Sequence, residues 1–189
     1  MDYYLLADMT VQIGYELAVA GAETYRVEET MRRVIEAYGT EGQVFAIPNC
    51  VAVSFVTPNT KPLAIMKRVS YHGNDLERIE KLNALSRRIC AEVPEPQEAQ
   101  RWLKETMAAV RSYAVWTYYL GNFMAAAGFC CVFGGTVRDW LWAGLSGLII
   151  GFVTRCMDRL EVNPFFSTIA ASFLMALPAY CLLYTSDAA

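Results

Sequence analysis

The chain has 189 residues, of which 55% are hydrophobic and only 19% are charged. This composition excludes a disordered chain, a collagen-like chain and a disulfide-rich scaffold. The formal net charge of −3 provides no basic stripe, so nucleic acid is not an expected partner.

Charged side chains divide the sequence into two parts. Residues 1–111 carry 15 of the 19 acidic residues and 13 of the 16 lysines and arginines, and residues 112–189 carry the rest. We therefore predict two domains, a soluble domain over 1–111 and a membrane domain over 112–189.

The cysteines and the histidine are arranged unfavourably for a metal site. None of the six cysteines forms a CxxC pair, and His72 is the single histidine. We therefore expect no metal and no other cofactor, and the sequence contains no GxxxxGK[ST] motif for ATP. We also expect no signal peptide, because the first residues, MDYYLLADM, lack a basic start.

The soluble domain begins with two predicted helices. Apolar residues that recur every four positions predict an amphipathic first helix over about 3–20, namely Leu5, Met9, Ile13 and Leu17. The outer face of the second helix is predicted to carry two ion pairs, Glu28 with Arg32 and Glu29 with Arg33.

The period of the apolar pattern then changes to two. This change predicts a three-stranded antiparallel meander over 44–47, 51–57 and 63–69. Pro48-Asn49 and Pro58-Asn59 supply the predicted turns.

Two further helices complete the predicted soluble domain. Asn74 is expected to cap a helix over about 75–91, with Glu77 as its capping-box partner. A last helix from about residue 97 is expected to run on to the bilayer. The predicted fold class is therefore an α+β domain followed by an α-helical membrane domain.

Three uncharged stretches predict three membrane spans, near 113–133, 136–154 and 164–184. Basic residues lie before the first span and between the second and third, so we expect the soluble domain to be cytoplasmic. Three spans are too few to enclose a solute pathway. We therefore expect an oligomer, a partner membrane subunit or a missing C-terminal half, and residues 184–189 are compatible with a truncated or appended end.

Two motifs in the soluble part follow a recognisable pattern. The segment GAETYRVEETM begins at Gly21, and the segment FAIP ends at Pro48. Further stretches of the same pattern occur at 67–69, 75–77 and 83–87. The first of these motifs is the most specific.

The membrane part continues this pattern with Phe133-Gly134-Gly135, Asp139 and Asn163. Together these stretches resemble the threonine/serine exporter family over nearly the whole chain. The chain departs from the family pattern at Asn49-Cys50, where the family suggests a sequence closer to Thr-Gly.

The resemblance implies a transporter rather than an enzyme. It implies export of a small polar carboxylate across the bacterial cytoplasmic (inner) membrane, with threonine, serine or a dicarboxylate such as succinate as the solute. Some members of the family are long single chains, and others are split into a larger and a smaller membrane subunit. An ion gradient would supply the energy.

Five residues are candidates for contact with the solute or for gating. Glu23 and Arg26 stand three residues apart at the start of the second helix, and the alternative for both is an ordinary charged helix start. Asn122 within the first span either joins helices or lines a path. Asp139 is either functional or a solvated helix end. Asn163 either helps to free backbone groups for a solute or caps a helix.

Two other functions are alternatives at this level. The first is a membrane-anchored hydrolase of small peptides or amides that uses Ser54 and His72, although the sequence has no GxSxG elbow and no catalytic residue is predicted. The second is a non-catalytic membrane sensor or scaffold.

Overall fold

A computed structural model describes the backbone of residues 1–57, 61–111, 113–160 and 162–187, and their side chains except those of Pro164 and 177–187. The chain divides into two compact units, Met1–Arg111 (unit 1) and Ser112–Ala189 (unit 2).

The described part of unit 1 contains four helices and one small sheet. In chain order these are α1 (Tyr3–Val19), α2 (Thr24–Ala37), β1 (Gly42–Ile47), β2 (Cys50–Val56), β3 (Pro62–Arg68), α3 (Leu76–Glu92) and α4 (Pro96–Ala108).

Helix α1 is the centre of this unit. The other helices and the sheet pack around it, and Leu6, Met9, Val11, Ile13 and Leu17 are all buried. The predicted helix is confirmed, but its predicted amphipathic character is wrong. A helix that is apolar on nearly every face is buried by neighbouring elements on nearly every side, whereas an amphipathic helix keeps one polar face in water.

The sheet has the strand order β1-β2-β3, and both pairs are antiparallel. Val44, Val53 and Ile65 lie side by side across it, and burial alternates along β2. The predicted meander is therefore confirmed. Pro48-Asn49 forms the first turn, whereas the predicted turn at Pro58-Asn59 lies outside the described residues.

The N-terminal cap of α3 differs from the prediction. Asp75, not Asn74, caps the helix, because its Oδ1 accepts a hydrogen bond of 2.9 Å from the backbone N–H three residues on. Both residue types are good caps, so local sequence does not choose between them. The choice depends on the loop, in which the Asp75 N–H donates to Ala20 O at 2.9 Å.

The predicted last helix of unit 1 is confirmed as α4, and its predicted approach to the bilayer stays a prediction. It ends at Ala108, and the next helix begins at Val115. The Lys81 ammonium donates a hydrogen bond to Ala109 O at this end. A cation that satisfies a terminal carbonyl stabilises a helix end.

The Glu28–Arg32 pair predicted on α2 is also wrong. The Glu28 carboxylate accepts a hydrogen bond of 2.8 Å from the backbone N–H of Ala46 in β1. Because β1 is an edge strand, this bond covers a backbone group that the sheet leaves unpaired. Glu29 binds both Arg32 and Arg33, at 3.2 and 2.5 Å, so the second predicted pair is confirmed.

Unit 2 is helical in its described part, with α5 (Val115–Val132), α6 (Val137–Arg159) and α7 (Pro164–Asp187). Helices α5 and α6 are long and apolar enough to cross a membrane. In α7 the described apolar stretch, Phe165–Ala176, is shorter than that. The fold is therefore helical with a small antiparallel sheet and two candidate membrane helices.

Candidate functional site

The predicted residues Glu23 and Arg26 form an ion pair at the start of α2. Arg26 Nε lies 3.2 Å from Glu23 Oε2 and donates to the Tyr25 hydroxyl at 3.1 Å. Both charged side chains are mostly exposed. An exposed pair of this kind contributes little to stability because water screens both charges.

The motif positions Gly21 and Pro48 line the same cavity, although 26 residues separate them in the sequence. The cavity has a volume of about 230 Å³ and lies between the α1–α2 turn and the β1–β2 turn. Its lining is mainly small and apolar, with Thr24 and His72 as the polar side chains. Pockets for drug-sized ligands measure roughly 300–1,000 Å³, so this cavity suits a smaller solute.

A close approach of two loops requires glycine at position 21. Its φ of +89° favours glycine, and a Cβ there would overlap Gly73 O. The Gly73 N–H donates to Val19 O at 2.7 Å, and His72 Nδ1 lies 3.0 Å from Ala18 O. Because a carbonyl oxygen can only accept a hydrogen bond, this contact assigns the proton to Nδ1. The same contact holds the His72 ring beside the cavity, although its side chain is exposed.

Sequence reasoning missed a polar network on the buried helix α1. Glu16 is buried and pairs with Arg78 of α3, and it accepts a hydrogen bond of 2.6 Å from Gln12. Lys67 of β3 donates to Gln12 and lies 4.2 Å from the centre of the Tyr15 ring. Burial lowers the pKa of Arg78. The sequence signal for this network is the i,i+4 spacing of Gln12 and Glu16 on a mainly apolar helix.

This network ties α1 to the sheet and to α3. Breaking one partner of a buried ion pair is costly because the other charge is left buried and uncompensated. We therefore assign Glu16 and Arg78 a structural role within unit 1.

In unit 2, the glycines of α6 form the surface on which α5 packs. Gly144, Gly147 and Gly151 are the buried residues of α6. A Cβ at Gly147 would overlap Asn122 O and lie 2.9 Å from Ala126 Cβ. Small residues at such a surface allow two helix backbones to approach closely within a membrane.

Asn122 lies at this contact between α5 and α6. Its amide Nδ2 donates to Tyr118 O at 2.9 Å, and a Cβ at Gly151 would lie 3.2 Å from the same amide nitrogen. The guanidinium of Arg155 lies 5.8 Å from the centre of the Tyr118 ring, within the range of a cation–π contact. The structure therefore places a polar and a cationic group on one side of the helix pair.

The candidate Asp139 is the third residue of α6 and forms a capping box with the N-cap residue Thr136. Its Oδ2 accepts hydrogen bonds of 2.7 Å from both the N–H and the hydroxyl of Thr136. Gly134, with φ of +79°, and Gly135 form the preceding turn. A Cβ at Gly135 would overlap Cys130 Sγ and lie 3.3 Å from Asp139 Cβ. The capping geometry accounts for the carboxylate without a solute.

Asn163 is placed at the beginning of α7. Its Oδ1 accepts a hydrogen bond of 2.9 Å from the Phe165 N–H. An asparagine cap followed by proline at the first helical position is a regular helix start. Unit 2 therefore brings Asn122 into a helix interface, whereas Asp139 is the capping-box partner of α6 and Asn163 caps α7.

Comparison with protein families gives a match over residues 8–188 to the ThrE family, described as "Putative threonine/serine exporter". The chain belongs to this family. Among the described residues, no group of three or more His, Cys, Asp or Glu side chains converges to hold a metal ion.

Curated relatives are longer than this chain. A Mycobacterium tuberculosis protein named "Probable threonine/serine exporter" is 23% identical over 180 residues, which cover 93% of this chain and 34% of the relative. The "Pheromone-regulated membrane protein 10" of Saccharomyces cerevisiae is 27% identical over 167 residues, which cover 85% of this chain and 21% of the relative. The chain thus spans about a third or less of these proteins, and no solved structure matches it.

Proposed function

We propose that this protein is a membrane exporter, or part of one, for small polar carboxylates, with threonine and serine as the first candidates. The family match over residues 8–188 carries the proposal. The two apolar helices α5 and α6 support a location in the membrane. The name of the M. tuberculosis relative favours hydroxyl-bearing amino acids over the dicarboxylate alternative.

The proposed topology places unit 1 in the cytoplasm and α7 in the membrane as a third span of a bacterial inner-membrane protein. The cluster of basic residues before the first span supports this orientation. The complete pathway then requires further spans, from an oligomer, a partner membrane subunit or a C-terminal continuation. An ion gradient drives export in this proposal.

In unit 2, Asn122 is the proposed solute contact. One N–H of the Asn122 amide donates a hydrogen bond to Tyr118 O. The Asn122 Oδ1 accepts no hydrogen bond within the described residues. A polar atom in an apolar surrounding is costly unless it is paired. The ammonium or hydroxyl group of a threonine-like solute is a suitable donor to Oδ1, and Arg155 supplies a positive charge for its carboxylate.

Glu23 and Arg26 are the proposed gating pair of unit 1. Their carboxylate and guanidinium match the two charges of an amino-acid solute, and the exposed pair can open at small cost. Glu23 is the N-cap residue of α2 and Arg26 lies in the first turn of that helix, directly after the turn that contains Gly21.

The hydrolase alternative receives no support from the geometry. No hydrogen bond joins Ser54 to His72 among the described residues, and His72 Nδ1 instead lies 3.0 Å from Ala18 O. Family membership also favours a transporter over an enzyme.

Efflux of labelled threonine, serine and succinate from cells that express the complete protein, with any partner subunit, tests the proposal. We expect faster threonine or serine efflux, and a loss of several-fold in Glu23→Gln and in Arg26→Gln at unchanged membrane abundance. Glu98 and Arg101 provide a matched control, because they form an equally spaced exposed pair at 3.2 Å on α4. Glu98→Gln and Arg101→Gln should leave efflux unchanged. Efflux of all three solutes at the level of empty cells would refute the exporter function. Equal losses in both pairs would refute the gating role alone.

A further inference from the structure

A second cavity of unit 1 lies between helices α2 and α3 and is mainly polar. It has a volume of about 420 Å³, within the range of roughly 300–1,000 Å³ that is typical of small-molecule sites. Each helix contributes one face to it. The side chains that line it include Glu29, Thr30 and Arg33 of α2 and Asn83, Arg87 and Cys90 of α3.

Two stretches of the family pattern meet at this cavity. Thr30 belongs to the motif that begins at Gly21, and α3 contributes residues of the stretch 83–87. Packing of the core does not account for the polar side chains, because the apolar core residues of the two helices stand at other positions, such as Met31 and Leu82. The polar positions of both stretches are therefore available to a ligand.

The cavity offers hydrogen-bond donors that have no acceptor. In the part of the chain that the structure describes, the side chains of Arg87, Asn83 and Thr30 make no hydrogen bond and no ion pair. The carboxylate of Glu29 already binds two arginines of its own helix, at 3.2 and 2.5 Å. A ligand that supplies acceptor oxygens is the complement of such a lining.

The charge of the lining also favours an anion. Arg33 and Arg87 outnumber Glu29, although unit 1 as a whole has 15 acidic residues against 13 lysines and arginines. Burial raises the pKa of the Cys90 thiol, and nearby Arg33 acts in the opposite direction. The Arg33 charge therefore acts at the Cys90 side of the cavity, where partial burial strengthens its attraction for an anion.

We propose that this cavity binds the phosphate group of a small metabolite, a phosphate monoester. Arginine forms two parallel hydrogen bonds to a phosphate, and a phosphate group presents three strong acceptor oxygens. One guanidinium fork already satisfies both oxygens of a carboxylate, whereas three unpartnered donor side chains on two helices match a phosphate better. The site contains neither Glu23 nor Arg26, so the proposal is independent of the gating role and of the exported solute.

Protection of Cys90 from alkylation tests the site. The full chain, with its other cysteines replaced by alanine, is treated with N-ethylmaleimide in permeabilised membranes, and inorganic phosphate is the probe. We expect a Kd of about 1 mM, so about 10 mM phosphate should slow alkylation roughly ten-fold, because only the unoccupied protein reacts. Potassium chloride at the same ionic strength should leave the rate unchanged and controls for screening.

Neighbouring arginines of α3 provide a matched pair of variants. Arg87→Gln should abolish the protection, and Arg87→Lys should retain part of it, because an ammonium keeps the charge but loses the fork. Arg88→Gln should retain all of it, because the Arg88 guanidinium pairs with Glu92 at 2.9 Å and lies over the Trp102 ring instead. Protection is the ratio of the rates without and with phosphate in one variant, so differences in thiol reactivity cancel.

Three results would overturn the proposal. The first is an alkylation rate that phosphate does not lower, or that chloride lowers equally. The second is equal protection in Arg87→Gln and Arg88→Gln. The third is stronger protection by succinate or threonine than by phosphate at the same concentration, because the recognised group would then not be a phosphate. Thr30→Val keeps every charge and should weaken the protection several-fold, so it decides the matter if Arg87→Gln fails to fold.

Discussion

Gly147 provides the most direct test of how α5 and α6 pack. In Gly147→Ala, the new Cβ would overlap Asn122 O and lie 2.9 Å from Ala126 Cβ, whereas ordinary contacts begin at 3.4 Å. The helices must therefore separate by about 1 Å along this surface. Overpacking of this kind costs about 1–3 kcal/mol, and the better helix propensity of alanine returns at most about 1 kcal/mol.

We therefore expect Gly147→Ala to destabilise the helix pair by about 1–2 kcal/mol. Reversible unfolding in mixed micelles with increasing SDS measures this free energy. Gly121→Ala in α5 is the matched control, because a Cβ there meets no described atom within 4 Å. It should be neutral or slightly stabilising. If Gly147→Ala is as stable as Gly121→Ala, the close packing of α6 glycines on α5 is refuted.

Two further predictions concern unit 1. Gly21→Ala should destabilise unit 1 more than Gly39→Ala does. Both glycines have a positive φ, but only at position 21 does the new Cβ overlap a backbone oxygen. Pulse proteolysis compares the stabilities of the two variants, and equal losses of stability would contradict the loop contact. Burial, with smaller contributions from nearby Glu95 and Cys90, raises the pKa of Tyr38 to about 12. The neutral phenol is therefore favoured in the folded state, and its contribution is complete below pH 10 and is lost as the pH rises toward 12. The unfolding free energy of the native chain minus that of Tyr38→Phe should fall across this interval, and a constant difference would refute the assignment.

Secondary structure was predictable where one local pattern dominates. The alternating pattern predicted a strand over 51–57, and the structure has β2 there, with Val51, Val53 and Phe55 buried. The uncharged stretches likewise predicted α5 and α6. Each of these signals depends on burial of one residue type at a fixed period, which the sequence displays directly.

The errors occurred where neighbouring residues compete for one role. Asn74 and Asp75 are both good caps, and a contact with α1 decides between them. Glu28 was matched with Arg32 by helical spacing, but a strand N–H from elsewhere in the chain takes its carboxylate.

The candidate site likewise has features that the sequence shows and features that only the folded chain shows. Sequence by itself determined that the chain has a charged and an apolar half, that Gly21 and Pro48 belong to motifs, and that the family is one of exporters. Only the tertiary structure decided that these two motif residues line one cavity with His72 and that Asn122 packs on α6 glycines. Periodicity and composition are local properties of a chain, whereas a cavity or an interface requires the approach of distant segments. Which segments approach depends on the summed packing of the whole core.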